Sequence, residues 1–338
     1  MSKTDSLTKE YMRDAEVFAD AFNYYLYAGE EVIKPDCLRE LDTAELASLF
    51  GKNNESAQVQ VYRDVLKSAT AMEDGRATYL ILGIENQTGI HYAMPVRNMV
   101  YDGLQYYSQV RTISKKNRNE GIKLSKEEFL SGFAKGDRLL PVVTLVVYFG
   151  AKAWDGPKSL HEMMYPSDQR SLAYVADYRI NLLEPATMND EEIAGLKTDL
   201  KDVFYFIKYS GDKARLREMV ENNEDFRHMK RLTAEMINSV TKSGINLPER
   251  EEDVDMCLAI QQMREESFAD GEARGVAIGE ARGVAIGEAR GVAIGEARGG
   301  EKMLFELVKD GLLSISQASM KAKLTEAEFT AEMRKAGF

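Results

Sequence analysis

The sequence predicts an α/β protein with a mixed central sheet, in the element order αβββαβ, followed by a helical C-terminal extension. Three observations support this. Apolar residues recur at helical spacing over 8–27 and 95–113. Strand-length apolar or alternating runs cover 59–65, 78–85 and 139–149. From about Asn189 onward the helical period takes over.

In order, Tyr11, Phe18, Phe22, Tyr25 and Leu26 line one helical face, and Ala28-Gly29 ends the run. A short extended stretch at Val32-Ile33 leads to Pro35, and a further segment covers 41–50. Val59, Val61 and Val65 alternate with Gln60, Tyr62 and Asp64, a strand pattern. Glu73-Asp74-Gly75 signals a turn, and Thr78 to Glu85 is a second, mostly apolar strand. The connection is too short for a crossover helix, so the pair is expected to be antiparallel. Pro95 opens the next helix, where its missing donor costs little. Ser114 to Lys126 is rich in Lys and Arg. Leu139 to Phe149 is a buried strand closed by Gly150.

Further on, Phe204, Phe206, Ile207, Leu216, Met219 and Val220 mark core-facing helices. Gly-Glu-Ala-Arg then begins at 271, 279, 287 and 295, so an octapeptide, Gly-Glu-Ala-Arg-Gly-Val-Ala-Ile, repeats through the tract. Glycine falls at every fourth position there, and each costs about 1 kcal/mol in a helix relative to Ala. An isolated helix is therefore not expected; the tract reads as a flexible spacer or as a helix held on a partner. The stretch 301–338 reads as three short helices, with Thr325 and Glu328 forming a capping box. Docking or dimerisation suits it better than base reading, because its candidate second helix carries only Lys321 and Lys323 as basic groups.

Bulk properties narrow the function. The chain has 338 residues, of which 44% are hydrophobic, enough for one catalytic domain plus an extension. No basic start leads into an apolar run, and no stretch suits a membrane span, so a cytoplasmic location is expected. Cys37 and Cys257 read as free thiols. His91, His161 and His228 lack zinc-site spacing. The net charge of −11 opposes global attraction to nucleic acid but leaves room for a local basic surface.

Chemistry concentrates on Asp64, Glu85 and Gln87. Glu85 and Gln87 are two apart on a strand and share a face. An acid on the antiparallel neighbour can lie beside them. Two carboxylates, an amide and the Asn86 carbonyl form an oxygen-rich set suited to Mg²⁺ or Mn²⁺. Spacing alone favours a solvated Asp64 and a Glu-Asn-Gln that merely opens a loop, because Asp-x(20)-Glu-x-Gln is a weak pattern by itself.

Several stretches together resemble the recombination-promoting nuclease and putative transposase family, within the PD-(D/E)XK nuclease superfamily. They are Val17 to Asn23, Tyr62 to Val65, Leu82 to Gln87, Tyr92 to Arg97, Tyr101 to Tyr106, and Val143 to Gly150 with Trp154. The resemblance covers roughly residues 10 to 300 and implies a restriction-endonuclease-like core. It implies a Mg²⁺-dependent endodeoxyribonuclease that promotes DNA recombination, with Asp64 and Glu85 as metal ligands and Gln87 completing the catalytic set. Gln87 stands where the superfamily usually has Lys. Glutamine cannot act as a base, but it can orient water. The family association with transposition comes with the name; no residue pattern here points to strand transfer.

On that basis 1–188 is the nuclease core, 189–270 a helical region, 271–300 the repeat and 301–338 a small helical tail that, with the region before it, could form a homodimer contact. Arg97, Tyr101 and Gln105, four apart on a helix, are candidate supports, as is Asp20. Lys115, Lys116 and Arg118 are candidate contacts to a DNA backbone, with a solvated loop as the alternative. Two other functions stay open: a catalytically inactive DNA-binding or assembly protein on the same fold, and a toxin-like defence nuclease acting on RNA or phage DNA.

Overall fold

The first helical stretch is two helices, because Asp14 intervenes. Its backbone leaves the helical region, and its carboxylate accepts the N–H groups of Glu16 and Val17, which caps the second helix. In the computed structural model, which describes residues 3–41, 64–73, 76–165, 169–248 and 252–338, α1 is Lys3–Arg13 and α2 is Ala15–Tyr27. Ala28 and Gly29 both take positive φ at the end of α2, as the turn signal led one to expect.

Five strands form the main sheet in sequential order: β1 (Ile33–Glu40), β2 (Val65–Glu73), β3 (Arg76–Gln87), β4 (Val142–Tyr148) and β5 (Asn181–Leu183). β1, β2 and β3 pair antiparallel, whereas β3, β4 and β5 pair parallel, so the α/β expectation with a mixed sheet holds. The parallel step from β3 to β4 is bridged by α3 (Met94–Asn119) and α4 (Lys126–Ser131). β5 has only three residues, too few for a sequence period. The expected segments at 41–50 and 59–63 lie outside the described residues. Asp64 itself sits one residue before β2 rather than within a strand.

The two faces of the sheet differ. On one, Val65, Ala69, Leu82, Ile84, Leu145 and Val147 pack with Val17, Phe18 and Phe22 of α2 into the main core. Lys67 is buried on this face; its Nζ donates to the Arg13 carbonyl at 2.6 Å and lies 5.0 Å from the Phe18 ring centroid. On the other face, Val146 and Tyr148 join Met94 of α3, Trp154 and Ile180. Tyr148 meets Trp154 edge to face, so both are core residues. A Cβ at Gly150 would lie 2.1 Å from the Tyr148 ring, which explains the glycine that closes this strand.

Short helices follow: α5 (Gln169–Leu172), α6 (Asp190–Ala194), α7 (Leu200–Tyr209), α8 (Lys213–Asn222) and α9 (Arg231–Thr241). A two-stranded ribbon of β6 (Met229–Lys230) and β7 (Asp253–Val254) flanks α9. α9 packs on α1 and α7, so this helical region shares the core of the sheet. Asp199 ties the three together by accepting the Tyr11 hydroxyl at 2.9 Å and the Thr233 hydroxyl. The chain divides into two compact units, Met1–Met263 and Arg264–Phe338. Among the described residues no helix is long and apolar enough to cross a membrane. Cys37 and Cys257 are free thiols.

The repeat corrects an expectation. It is not a flexible spacer but the exposed middle of one continuous helix, α10 (Met256–Lys309), which is the helical alternative. Glycine penalties act against each turn, but propagation from an existing turn is far easier than nucleation. The helix starts on buried Met256 and Ala259 and ends on buried Phe305, so both ends are fixed by packing. Phe305 then packs with Ala318 of α11 (Ile315–Ala322) and Phe329 of α12 (Glu326–Lys335), whose Thr325–Glu328 capping box is formed.

Two outcomes follow. An added Cβ at Gly275, Gly283 and Gly291 would meet open space. Replacing all three by Ala should stabilise the helix by about 0.5–1 kcal/mol per site and slow hydrogen exchange across 271–298; unchanged exchange would show that glycine does not limit this helix. Asp202 of α7 is 2% exposed, and burial pushes its carboxyl up to about 6. Its folded pKa exceeds the unfolded one, so the native state holds the proton more tightly and loses stability as pH rises from about 4 through 6. Relative to wild type, Asp202→Asn should gain about 2–3 kcal/mol between pH 4 and pH 7.5, as read by urea unfolding at both pH values.

Candidate active site

β2 and β3 bring the two acids of the motif to the same place. Val65 pairs with Ile84, and one step further along the two chains Asp64 comes level with Glu85. The Asp64 carboxylate turns onto the backbone of β3, where Oδ2 accepts the Asn86 N–H at 2.9 Å. Glu85 and Gln87 lie on the face covered by α3, level with Val146 and Tyr148 of β4. Asn86, between them, points to the other face and donates to the Thr8 carbonyl of α1.

Glu85 is 0% exposed and Arg97 of α3 meets it, with Nη2 3.1 Å from Oε2. Pro95 starts that helix, and its second turn carries Arg97 over the end of β3. Arg97 Nε also donates to the Tyr101 hydroxyl at 3.0 Å. The four-residue spacing therefore puts these two side chains on one face, in contact. Gln105 is buried on the same helix one turn on, and Gln87 is half-buried at the strand end.

The electrostatics follow from burial. Desolvation lifts the Asp64 carboxyl above the ordinary aspartate value, while the Asn86 N–H, Lys9 and Arg97 pull it back. Burial works against the Arg97 charge, but Glu85, Tyr101 and Asp64 outweigh it and hold the guanidinium pKa above its usual value. Burial also raises the Tyr101 hydroxyl, as does Glu85. One guanidinium thus faces both carboxylates. Among the described residues no group of three or more His, Cys, Asp or Glu could hold a metal, so the oxygen donors here are the two acids and amide or backbone groups. Carboxylate and amide oxygens still match the preferences of a hard divalent cation.

The other predicted residues go elsewhere. Asp20 accepts the N–H groups of Lys197 and Thr198 and the Thr198 hydroxyl, which ties α2 to the loop before α7. Asn23 similarly clasps the backbone of Ile33. Lys115, Lys116 and Arg118 stand on α3, which runs six residues beyond the expected end at 113, so they belong to a helix and not to a loop. Sequence reasoning missed Asn98, buried on α3 beside Arg97; its amide has no hydrogen-bond partner among the described residues. It also missed Asp102, which accepts the Thr144 hydroxyl at 2.5 Å and the Tyr178 hydroxyl, locking α3 to β4. Only helical phase relative to Arg97 pointed to either residue.

The model of one protein family, described as "Putative transposase, YhgA-like", matches residues 3–233. The chain belongs to that family. The match includes both acids, Arg97 and the whole sheet, and ends within α9, before the octapeptide repeat. No curated protein and no solved structure matches the chain.

Removing Arg97 strands a buried carboxylate. Arg97→Met should destabilise the fold by about 3 kcal/mol, and adding Glu85→Gln should recover most of that loss. A double-mutant cycle by urea unfolding tests this coupling, and additive effects would show that the ion pair contributes nothing.

Proposed function

We propose that the protein is a metal-dependent DNA endonuclease built on a restriction-endonuclease-like core, acting in DNA recombination. The observation that carries this reading is the convergence of Glu85, Asp64 and Arg97 where β2 and β3 meet. Two acids drawn out of water beside one guanidinium are an unfavourable way to build a core, and a carboxyl lifted by burial, as Asp64 is, is typical of places where chemistry is done. Membership in a family described as transposases supports DNA as the substrate.

Asp64 and Glu85 are the residues that would hold Mg²⁺ or Mn²⁺. Such an ion, when bound, lowers the pKa of a ligated water and offsets charge developing on the phosphodiester. Gln87, two residues from Glu85 on the same face, orients the attacking water through its amide and cannot itself remove a proton. Arg97 pairs with Glu85 and offers its remaining N–H groups to a phosphate oxygen. Tyr101 fixes the guanidinium plane through the bond to Nε.

A second reading rests on the same ion pair. Because Arg97 already neutralises Glu85, the protein could instead be a DNA-binding or assembly protein that no longer cleaves.

Supercoiled plasmid incubated with the purified protein separates the two. With Mg²⁺ the wild type should nick the plasmid, and with EDTA it should not. Asp64→Ala and Glu85→Ala should each reduce nicking by at least about 100-fold, with folding confirmed by circular dichroism. Nicking that persists in both variants would overturn the assignment, and an inert wild type would favour the second reading.

A further inference from the structure

Beyond Gln105, α3 leaves the core. Of its last fourteen residues only Asn117 is buried, and that residue is a fastener. Its amide nitrogen donates to the Gly132 carbonyl at 3.1 Å and to Asp137 Oδ2 at 2.8 Å. Asp137 also accepts the Ala134 N–H. The Glu128 carboxylate accepts the N–H groups of Ser125 and Lys135, completing a capping box on α4. Gly132 has positive φ, and a Cβ there would lie 2.0 Å from the Ser114 hydroxyl oxygen, so α4 closes tightly onto α3. The result is a braced arm.

The arm differs in charge from the rest of the molecule. Residues 111–138 hold eight Lys or Arg against four Asp or Glu, in a chain of net charge −11. Two of those acids, Glu128 and Asp137, are spent on backbone N–H groups. Lys115, Lys116, Arg118, Lys123, Lys126 and Lys135 are exposed, and none forms an ion pair with a described carboxylate. Among these cations stand Phe129 and Leu130 of α4, 77% and 90% exposed. Scattered single apolar side chains are ordinary on a surface. Two adjacent large ones on a helix with no buried residue, clasped by three side-chain fasteners, are not explained by packing.

We propose that this arm is a duplex-DNA clamp: Lys115, Lys116 and Arg118 take phosphates, and Phe129 with Leu130 wedge into a base step and unstack it. Apolar wedges flanked by cations are one physical solution to kinking a duplex. The proposal rests on DNA being the substrate of the site at Glu85. Arg97 and Lys115 lie eighteen residues apart on one helix, five full turns and about 27 Å along its axis. A duplex lying along α3 therefore meets Lys115 about eight base pairs from Arg97. The arm supplies affinity that the acidic remainder of the chain lacks, and the kink fixes the register of the duplex over the site.

The test uses the full-length protein in EDTA and a short duplex carrying 2-aminopurine, whose fluorescence rises when it is unstacked. Binding by the wild type should raise the signal. The double variant Phe129→Ser, Leu130→Ser should lose the rise but keep the salt dependence. Lys115→Glu with Lys116→Glu should weaken binding by roughly tenfold or more and reduce the salt slope by about 2. A rise that survives the serine variant, or affinity indifferent to the charge reversals, overturns the proposal. So does a serine variant whose sedimentation shows a broken dimer, because the face would then serve self-association. Plasmid nicking with Mg²⁺ that ignores the charge reversals would sink the arm and leave the nuclease reading standing. Unstacking without nicking would do the reverse.

Discussion

A carboxylate removed entirely from water must find a positive partner or take up a proton, and at Glu85 the partner is Arg97. Much of the local architecture serves that pairing. Arg97 must hang from a helix that crosses the end of β3, so α3 follows the strand after six residues, with Pro95 in its first turn. Asp102 then fastens the helix to Thr144 of β4, and Tyr101 holds the guanidinium from below. Asp64 reaches the same place from the neighbouring chain and is fixed by a single backbone N–H.

The pairing also reshapes the chemical argument. Two acids side by side would ordinarily demand a cation to offset their repulsion. Here an internal cation, Arg97, meets part of that demand. The same guanidinium therefore lets both carboxylates sit together without a further cation. At Gln87 a second positive side chain near Arg97 would add repulsion that an amide avoids.

The residues that carried the family resemblance have divided duties. Asp64, Glu85, Gln87 and Arg97 surround the site, whereas Asp20, Asn23 and Gly150 hold backbone in place. A polar residue inside an apolar motif can therefore be a fastener as readily as a ligand. Its hydrogen-bond partners, which lie far away in the chain, decide between the two. The repeat makes a similar point. Its helix depends on packed turns at Met256 and Phe305, neither of which belongs to the octapeptide.

By itself the sequence determined the α/β class with a mixed sheet, the β3 strand, the glycine-closed β4 strand and the turn that joins β2 to β3, because each is written in short-range periodicity and turn chemistry; the strand expected at 59–65 meets β2 (Val65–Glu73) only at Val65. The three-residue β5, the break at Asp14 and the extra turns of α3 were not legible, since capping geometry and tertiary contacts outweigh local propensity there. Only the folded chain decided that Arg97 meets Glu85, that Asp20 caps a loop 177 residues away, and that Phe129 and Leu130 stand in water on a braced arm. Those outcomes depend on which surfaces meet across the sheet, and a period of two or of 3.6 residues carries no information about that.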